Sequence, residues 1–283
     1  MNLLSKIRSR FHPLWKIRRT PWLFSIFKLL DFAVWMRSSS LGVPMRVLWF
    51  RDMSWLFDSI PKEPELNRLM EQLCETFQPK VFWDVGANIG WFTWLVNSRT
   101  ELQEAVLFEP LPQNAKLLRQ TIKRSGYNHI KLIEAGVADH SGQVSFLADE
   151  QSGATSQITE IFATSGETSI AHTYGISKEI MVRTTTMDEE LANGAAVPDL
   201  IKMDIEEAEV LALKGAENLL SLGKPLIAFE CHRTEAIEML RARNYSVYRV
   251  DDHNNYLAVP PKMMEQAKRI TSTLEKIENG PFR

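Results

Sequence analysis

The sequence lacks several features that define common classes of protein. Cysteine is scarce, since Cys74 and Cys231 are the only two in 283 residues. They lie far apart and match no metal-ligand spacing, so we expect two buried thiols in a reducing compartment rather than a disulfide framework. No apolar run reaches the roughly 20 residues that a membrane-spanning helix needs. The best candidate, residues 21–36, is interrupted by Lys28 and Asp31.

We expect no secretory signal peptide, and the sequence also lacks a strong overall charge. No compact apolar core leads into a small-residue cleavage site near the start of the chain. The formal net charge is only -2, so the molecule as a whole has no electrostatic attraction for nucleic acid. We therefore expect a cytoplasmic protein that does not bind nucleic acid.

The charge is unevenly distributed, because residues 1–60 carry ten Lys or Arg against three Asp. The same segment holds five of the eight tryptophans. Two interpretations are open for this predicted N-terminal helical extension. Its helices pack on the main domain, which we favour, or a basic aromatic helix within residues 1–40 makes peripheral contact with an anionic membrane.

Short apolar strands alternate with helices from about residue 78 onward. This alternation predicts an α/β domain with a mostly parallel sheet and helices on both faces. We assign residues 61–260 to this domain and residues 261–283 to a C-terminal helix and tail. A Ser-, Thr- and Gly-rich segment at about 149–180 breaks the alternation and is predicted to be a variable insertion. The strands are expected at 80–84, 105–109, 130–135, 199–204, 225–231, 245–250 and 256–259, with another possible at 144–147.

Ligands of such sheets bind beyond the carboxyl ends of the strands, so the residues that end each strand are the candidate site. The first strand ends at Asp84, and Gly86 and Gly90 bracket a turn into a helix. Glycine allows the backbone to approach a ligand closely, and the first amides of the helix favour a negative group. A generic strand–turn–helix corner is the alternative.

The second strand ends at Glu109, about 20 residues further on, where an acidic side chain can accept hydrogen bonds from ribose hydroxyls. That position suits either a nicotinamide cofactor or S-adenosyl-L-methionine. A pyrophosphate usually requires three glycines in the turn, whereas this turn has two, and Asp84 would repel phosphates. The pattern therefore favours the sulfonium nucleoside.

Two further strand ends carry polar side chains. The segment 200–209 places Lys202, Asp204, Glu206 and Glu207 around a strand end and a helix start. The helix dipole would explain Glu206 and Glu207, which leaves Asp204 as the better functional candidate. Glu230 and His232 form the fourth group, as a general base or, less convincingly, as a divalent-metal site; we predict no metal.

In order along the chain, these segments resemble the FkbM-type methyltransferase family over roughly residues 78–235. The matching pieces are Asp84–Gly90, Phe108–Pro110, Ala138–Asp139 with Gly142, Thr186–Asp188, Asp199–Glu206, Ala208–Glu209, Leu213–Ala216 and Phe229–Glu230.

The resemblance implies a Rossmann-like class I methyltransferase fold with a seven-stranded sheet. It also implies methyl transfer from S-adenosyl-L-methionine to a hydroxyl oxygen of a sugar, glycolipid or other small metabolite. By position, Glu109 would hold the ribose, and Ala138 and Asp139 would lie near the adenine. The methionine part would be held by Asp84, Gly86, Ala87, Asn88 and Gly90, and the acceptor would face Asp204, Glu206 and Glu230.

The sequence departs from the family at Glu207, where glycine is usual. We expect this side chain either to narrow the acceptor pocket or to point to solvent. For the chemistry, we expect direct displacement at the methyl carbon, with Asp204 or His232 as base and with Glu206 and Lys202 holding the acceptor. The alternatives are an NAD-dependent oxidoreductase, a catalytically silent scaffold and a nucleic-acid methyltransferase, which the lack of an Asn/Asp-Pro-Pro-aromatic run disfavours.

Overall fold

A computed structural model of the chain describes residues 26–27, 29–38, 40–52, 63–149, 157–158 and 177–277. In these ranges, no helix has both the length and the apolar character needed to cross a membrane. Both Cys74 and Cys231 are buried free thiols. The helices are α1 (Pro64–Phe77), α2 (Trp91–Arg99), α3 (Pro112–Ser125), α4 (Met187–Ala192), α5 (Glu209–Lys214), α6 (Glu217–Ser221), α7 (Thr234–Ala242) and α8 (Met264–Thr271).

The predicted α/β architecture is present, built around one large sheet. Its strands are β3 (Val81–Val85), β4 (Glu104–Phe108), β5 (Ile130–Ile133), β10 (Leu200–Met203), β11 (Leu226–Glu230), β12 (Ser246–Arg249), β13 (Asn255–Val259) and β14 (Glu275–Lys276). They lie in the order β14-β12-β13-β11-β10-β3-β4-β5. The five strands from β11 to β5 run parallel, while β13 pairs antiparallel with both β11 and β12.

The central strand β3 shows why the sheet is covered on both faces. All five of its residues are buried, as expected for a parallel strand with helices on either side. Alternate side chains point to opposite faces: Phe82 packs in a core with α1 and α2, and Trp83 packs in a second core with α5 and α7. Helix α1 contributes to the first core because Leu66, Leu69 and Leu73 recur at helical spacing and are buried.

The predicted number of seven strands is wrong, because the sheet has eight. The additional strand is β14, which pairs antiparallel with β12 at the edge through Tyr248 and Arg249. Both residues of β14 are exposed. A two-residue exposed strand has no alternating apolar pattern, so the sequence pattern does not predict it.

A second, four-stranded sheet lies next to the segment that was predicted to be an insertion. It contains β6 (Gly136–Val137), β7 (Gly142–Asp149), β8 (Gln157–Ile158) and β9 (Ser177–Thr185) in the order β6-β9-β7-β8. The further strand predicted at 144–147 is present as part of β7, but it belongs to this second sheet and not to the large one. Most of the predicted insertion, 150–156 and 159–176, lies outside the described residues, and β9 occupies its end.

The described part of the N-terminal extension contains a β hairpin of β1 (Ala33–Arg37) and β2 (Pro44–Leu48). The hairpin is tied to the main domain, because the amide of Arg46 donates to Thr121 Oγ1 on α3 at 2.8 Å. Residues 26, 27 and 29 are helical. The helical extension predicted for residues 1–60 is therefore not helical over the hairpin. Residues 1–25, 28, 39 and 53–62 lie outside the described residues.

Candidate active site

Four predicted residues lie in one row at the carboxyl edge of the large sheet. In the register of the parallel strands, Phe108, Val85, Met203 and Phe229 are paired neighbours. The residues one position further on are Glu109, Gly86, Asp204 and Glu230, and all four line a common cavity. The structure thus brings these four predicted strand-end residues together around one cavity.

The glycine turn is shaped by close contact between two strand ends. Gly86 has a φ of +80°, and a Cβ on it would lie 2.0 Å from the carbonyl oxygen of Asp204. Only glycine fits both the left-handed backbone and this approach. Gly90 has the same φ, but a Cβ there would meet Trp94 and Leu118, so this glycine permits packing of α2 and does not line the cavity.

Asp84 lies beneath the turn and does not line the cavity. Its Oδ2 accepts hydrogen bonds from the backbone N–H of Thr93 at 3.1 Å and from the Thr93 hydroxyl at 2.7 Å. Burial raises the pKa of Asp84, against the opposing effect of the Lys202 ammonium. The Thr93 amide, near the start of α2, is therefore already occupied. The amides of Ala87 and Asn88, two residues of the turn that do line the cavity, donate to the Phe108 carbonyl and to Glu109.

Glu109 is 4% exposed and is held by two backbone amides. Its Oε1 accepts from Leu111 N at 2.9 Å, and its Oε2 accepts from Asn88 N at 2.7 Å. Burial raises the pKa of Glu109 to about 7, although these hydrogen bonds oppose the shift. Each carboxylate oxygen can accept more than one hydrogen bond, so Glu109 keeps capacity for a ligand hydroxyl.

Lys202 connects the glycine turn to Asp204. The Lys202 Nζ donates to the carbonyl of Gly86 at 3.2 Å and to Asp204 Oδ2 at 3.2 Å, and it lies over the ring of Phe92. Burial alone would lower the pKa of Lys202, but the carboxylates of Asp204 and Asp84 raise it above its ordinary value. The lysine is thus a fixed cation in the wall of the cavity.

Glu230 and His232 meet at the end of β11. The His232 Nε2 lies 3.3 Å from Glu230 Oε1, and its Nδ1 lies 3.0 Å from the amide nitrogen of Asn254. Because an amide nitrogen only donates, Nδ1 must accept, which places the proton of a neutral imidazole on Nε2 facing Glu230. Burial, followed by repulsion from Asp204, raises the pKa of Glu230 to about 8. His232 itself does not line the cavity.

The interpretation of Glu206 and Glu207 as a first helical turn is wrong. Helix α5 begins at Glu209, and Glu206 and Glu207 have φ of 52° and 74°. The left-handed φ is a physical reason for glycine at the position of Glu207. The Glu207 carboxylate neither narrows the cavity nor points freely to solvent, because it pairs with Arg233 at 3.2 Å and is 10% exposed. Glu206 does line the cavity.

Ala138 and Asp139 lie outside the lining of the cavity. Asp139 pairs with His140 at 2.7 Å, and the carbonyl of Ala138 would lie 2.1 Å from a Cβ on Gly215. The two preceding residues, Gly136 and Val137, do line the cavity. The structure therefore brings Gly86 and Glu109 together with the β6 backbone rather than with the Asp139 carboxylate.

The apolar wall of the cavity was missed from the sequence. It is formed across the β7–β9 pair, where Val144 lies opposite Val182 and Gly142 lies opposite Thr184. The spacing of Val144 and Phe146 is the alternation expected of a half-buried strand, so a signal for this wall existed. The other lining residues that sequence reasoning missed are Glu63, Ile89, Trp91, Phe92, Phe108, Pro110, Leu111, Ala135, Gly136, Val137, Ile205 and Ala208.

The sheet and its row of strand-end residues define a Rossmann-like class I methyltransferase fold. The model of the methyltransferase FkbM domain matches residues 84–257. That match covers more than half of the chain, and the matched residues include every strand end of the site. The chain belongs to the FkbM methyltransferase family.

Individual relatives are more distant. The chain is 28% identical over 167 residues to the hexuronic acid methyltransferase AglP of Haloferax volcanii, which covers 59% of this chain and 61% of that protein. The chain thus spans about three fifths of the length of this curated relative.

Among solved structures, it is similar to the methyltransferase FkbM of Methylobacillus flagellatus, with 21% identity and a TM-score of 0.45 over 64% of this chain and 43% of the other. It is also similar to the precorrin-6y C5,15-methyltransferase of Geobacter metallireducens, with 13% identity and a TM-score of 0.41 over 71% and 88%.

Proposed function

We propose that the protein transfers a methyl group from S-adenosyl-L-methionine to a hydroxyl oxygen of a sugar, glycolipid or other small metabolite. The observation that carries this proposal is the row of Gly86, Glu109, Asp204 and Glu230 around one cavity. Family membership supports methyl transfer, and the hexuronic acid relative supports a sugar as the acceptor.

The donor set fits this cofactor. Glu109 offers two buried carboxylate oxygens to a ribose diol, and the backbone of Ala87 and Asn88 offers a close approach for the methionine part. The apolar wall of Val144, Phe146 and Val137 suits a planar base. When bound, the cofactor supplies an activated methyl group on a positively charged sulfur.

The charge of the cavity favours a sulfonium over a dinucleotide. Asp204, Glu206 and Glu63 line it beside Lys202. Glu109 and Glu230 also line it, and they become negatively charged as the pH rises through about 7 and about 8. A cation is stabilised among carboxylates, whereas a pyrophosphate would be repelled. For the same reason, we expect the acceptor to be neutral at the reacting end, so a hexose hydroxyl is preferred to a hexuronic acid carboxylate.

Glu230 is the proposed proton acceptor for the sugar hydroxyl, in place of the Asp204 or His232 expected from the sequence. A base works best when its pKa lies near the working pH, and the pKa of Glu230 is about 8. Asp204 is engaged by Lys202 at 3.2 Å, so it instead orients the acceptor together with Glu206. The His232 Nε2 lies 3.3 Å from Glu230 Oε1, so we expect His232 to help hold the Glu230 carboxyl in place.

The alternative of a catalytically silent scaffold would be favoured if Glu207, where the family usually has glycine, blocked the acceptor pocket. Since that side chain pairs with Arg233 and does not line the cavity, it leaves room for the acceptor. The experiment is transfer of labelled methyl from S-adenosyl-L-methionine to glycans that end in neutral hexoses or in hexuronic acids. We expect labelled neutral glycan. A protein that binds the cofactor but labels no acceptor would be the silent relative.

A further inference from the structure

A buried ion pair from the N-terminal extension reaches the proposed ribose site. Arg51 and Asp52 follow β2, and they are 5% and 2% exposed. Arg51 Nε donates to Asp52 Oδ1 at 2.7 Å, and its Nη2 donates to Asp52 Oδ2 at 3.0 Å. Asp52 is itself fixed, because its Oδ2 accepts from the backbone N–H of Leu48 at 2.8 Å.

The remaining guanidinium nitrogen points into the main domain. Arg51 Nη1 donates to Oδ1 of Asn114 on α3 at 2.7 Å, and Asn114 is fully buried. The loop is also anchored from the other side. Asp31 accepts hydrogen bonds from the backbone amides of Phe50 at 2.8 Å and of Arg51 at 3.1 Å.

The chemistry of arginine settles which way the Asn114 amide faces. A guanidinium has donors and no acceptor, so Asn114 must present its oxygen to Arg51. Its amide NH₂ group then faces the site, where it donates to Asn88 Oδ1 at 3.3 Å and forms a side-chain hydrogen bond with Glu109. Arg51 as a donor on one side and the Glu109 carboxylate as an acceptor on the other therefore favour the same orientation of the amide.

We infer that Arg51, held by Asp52, is a positioning residue that orients Asn114 and thereby holds Glu109 and Asn88 for the ribose. The extension is then part of the nucleoside site although it precedes the strands that form it. This inference rests on the proposed function, since it assumes that Glu109 binds the ribose of S-adenosyl-L-methionine.

Electrostatics supply a readout that a purely structural role would not move. Arg51 also acts on Glu109 through its charge, which lowers the pKa of that carboxyl against the effect of burial. The other charged residues around the same cavity are Glu63, Lys202, Asp204, Glu206 and Glu230, and they are unchanged in the variants below. An ionised carboxylate accepts hydroxyl hydrogen bonds more strongly than a neutral one. Affinity for a ribose should therefore rise with pH through about 7, and removal of Arg51 should shift that rise to higher pH.

The test is calorimetry with S-adenosyl-L-homocysteine between pH 6 and pH 9 on the full chain. The variant R51M/D52N removes the ion pair without leaving a buried charge behind. We expect its affinity to fall roughly tenfold to a hundredfold, as for loss of a charge-assisted hydrogen bond, and its pH midpoint to rise. The matched control is R46M, which replaces another arginine of the same extension. The Arg46 side chain stacks on Trp35, and we expect R46M to bind like the wild type.

Two additions keep the test decisive if the double variant fails to fold. R51K retains the charge but loses the fork geometry, so it should bind more weakly while its pH midpoint stays near that of the wild type. Substitution N114A should add little to R51K, because both act through one amide. Wild-type affinity and an unshifted midpoint in the variants would overturn this inference alone. Failure of the wild type to bind would overturn the proposed function and this inference with it.

Discussion

The ammonium of Lys202 lies 3.2 Å from the carboxylate of Asp204 and joins it to the carbonyl of Gly86 at the same distance. This one side chain ties the glycine turn after β3 to the end of β10. It also offsets the charge of Asp84, which is buried beneath the turn. The geometry of the site therefore depends on a buried cation that touches two strand ends.

Substitution of Lys202 by methionine should destabilise the protein by about 3 kcal/mol, because Asp84 and Asp204 lose their compensating charge in a buried site. Denaturant unfolding measures the change. The matched control is K131M, whose ion pair with Glu104 is on the surface and should contribute less than about 1 kcal/mol. Equal effects of the two substitutions would contradict this role for Lys202.

A comparison of Gly86 with Gly126 distinguishes the energetic cost of a left-handed backbone from the cost of a steric clash. Both have a left-handed φ, but a Cβ on Gly86 would lie 2.0 Å from the Asp204 carbonyl, whereas a Cβ on Gly126 would meet nothing within 4 Å. G126A should cost only about 1 kcal/mol of conformational strain. G86A should cost more than twice as much and should also weaken cofactor binding. Similar stabilities of the two variants in thermal unfolding would show that Gly86 is not in tight contact with the Asp204 carbonyl.

The strand ends of the site could be predicted from the sequence because their positions follow from the alternation of strands and helices. Glu109 and Glu230 needed no knowledge of distant contacts, since each simply follows a buried strand. The orientation of Glu207 could not be predicted in this way, because a positive φ is not visible in a pattern of charges. The role of Arg51 could not be predicted either, because its hydrogen-bond partner Asn114 lies 63 positions away in the sequence.

The cavity wall illustrates a second limit. Val144 and Val182 face each other across a strand pair that is interrupted by the segment predicted as an insertion. Alternation within β7 indicates a strand, but nothing local identifies its partner or the sheet to which it belongs. Strand β14 was missed for a different reason, because its two exposed residues carry no apolar alternation.

The pH dependence of turnover should reflect the ionisation of the Glu230 carboxyl. Its pKa is raised to about 8, so the ionised form that accepts a proton increases as the pH rises through that value. We expect kcat to rise from pH 6 to pH 8.5, and E230Q to lose about a hundredfold or more together with this pH dependence. The control is E235Q, whose carboxylate pairs with Lys214 on the surface. Full activity of E230Q would exclude Glu230 as the base.

The N-terminal extension exposes large apolar side chains, and two cationic side chains lie over the ring of one of its tryptophans. Leu29 is 87% exposed and Phe32 is 63% exposed, and Arg46 and Arg124 both lie over the ring of Trp35. We propose that this surface contacts anionic lipid. Flotation with phosphatidylglycerol vesicles should recover the protein, and L29S/F32S should reduce binding about tenfold. L222S, outside the extension, is the control; equal recovery with neutral vesicles would count against an electrostatic contact.

The proposed function requires that the row of strand ends binds a sulfonium nucleoside through Glu109. Calorimetry of the wild type with S-adenosyl-L-homocysteine tests it most directly, with E109Q as the variant and with E71Q, on the surface, as the control. We predict saturable binding by the wild type and by E71Q, and a loss of about tenfold or more in E109Q. No binding by the wild type, or tight binding of NAD instead, would contradict the account.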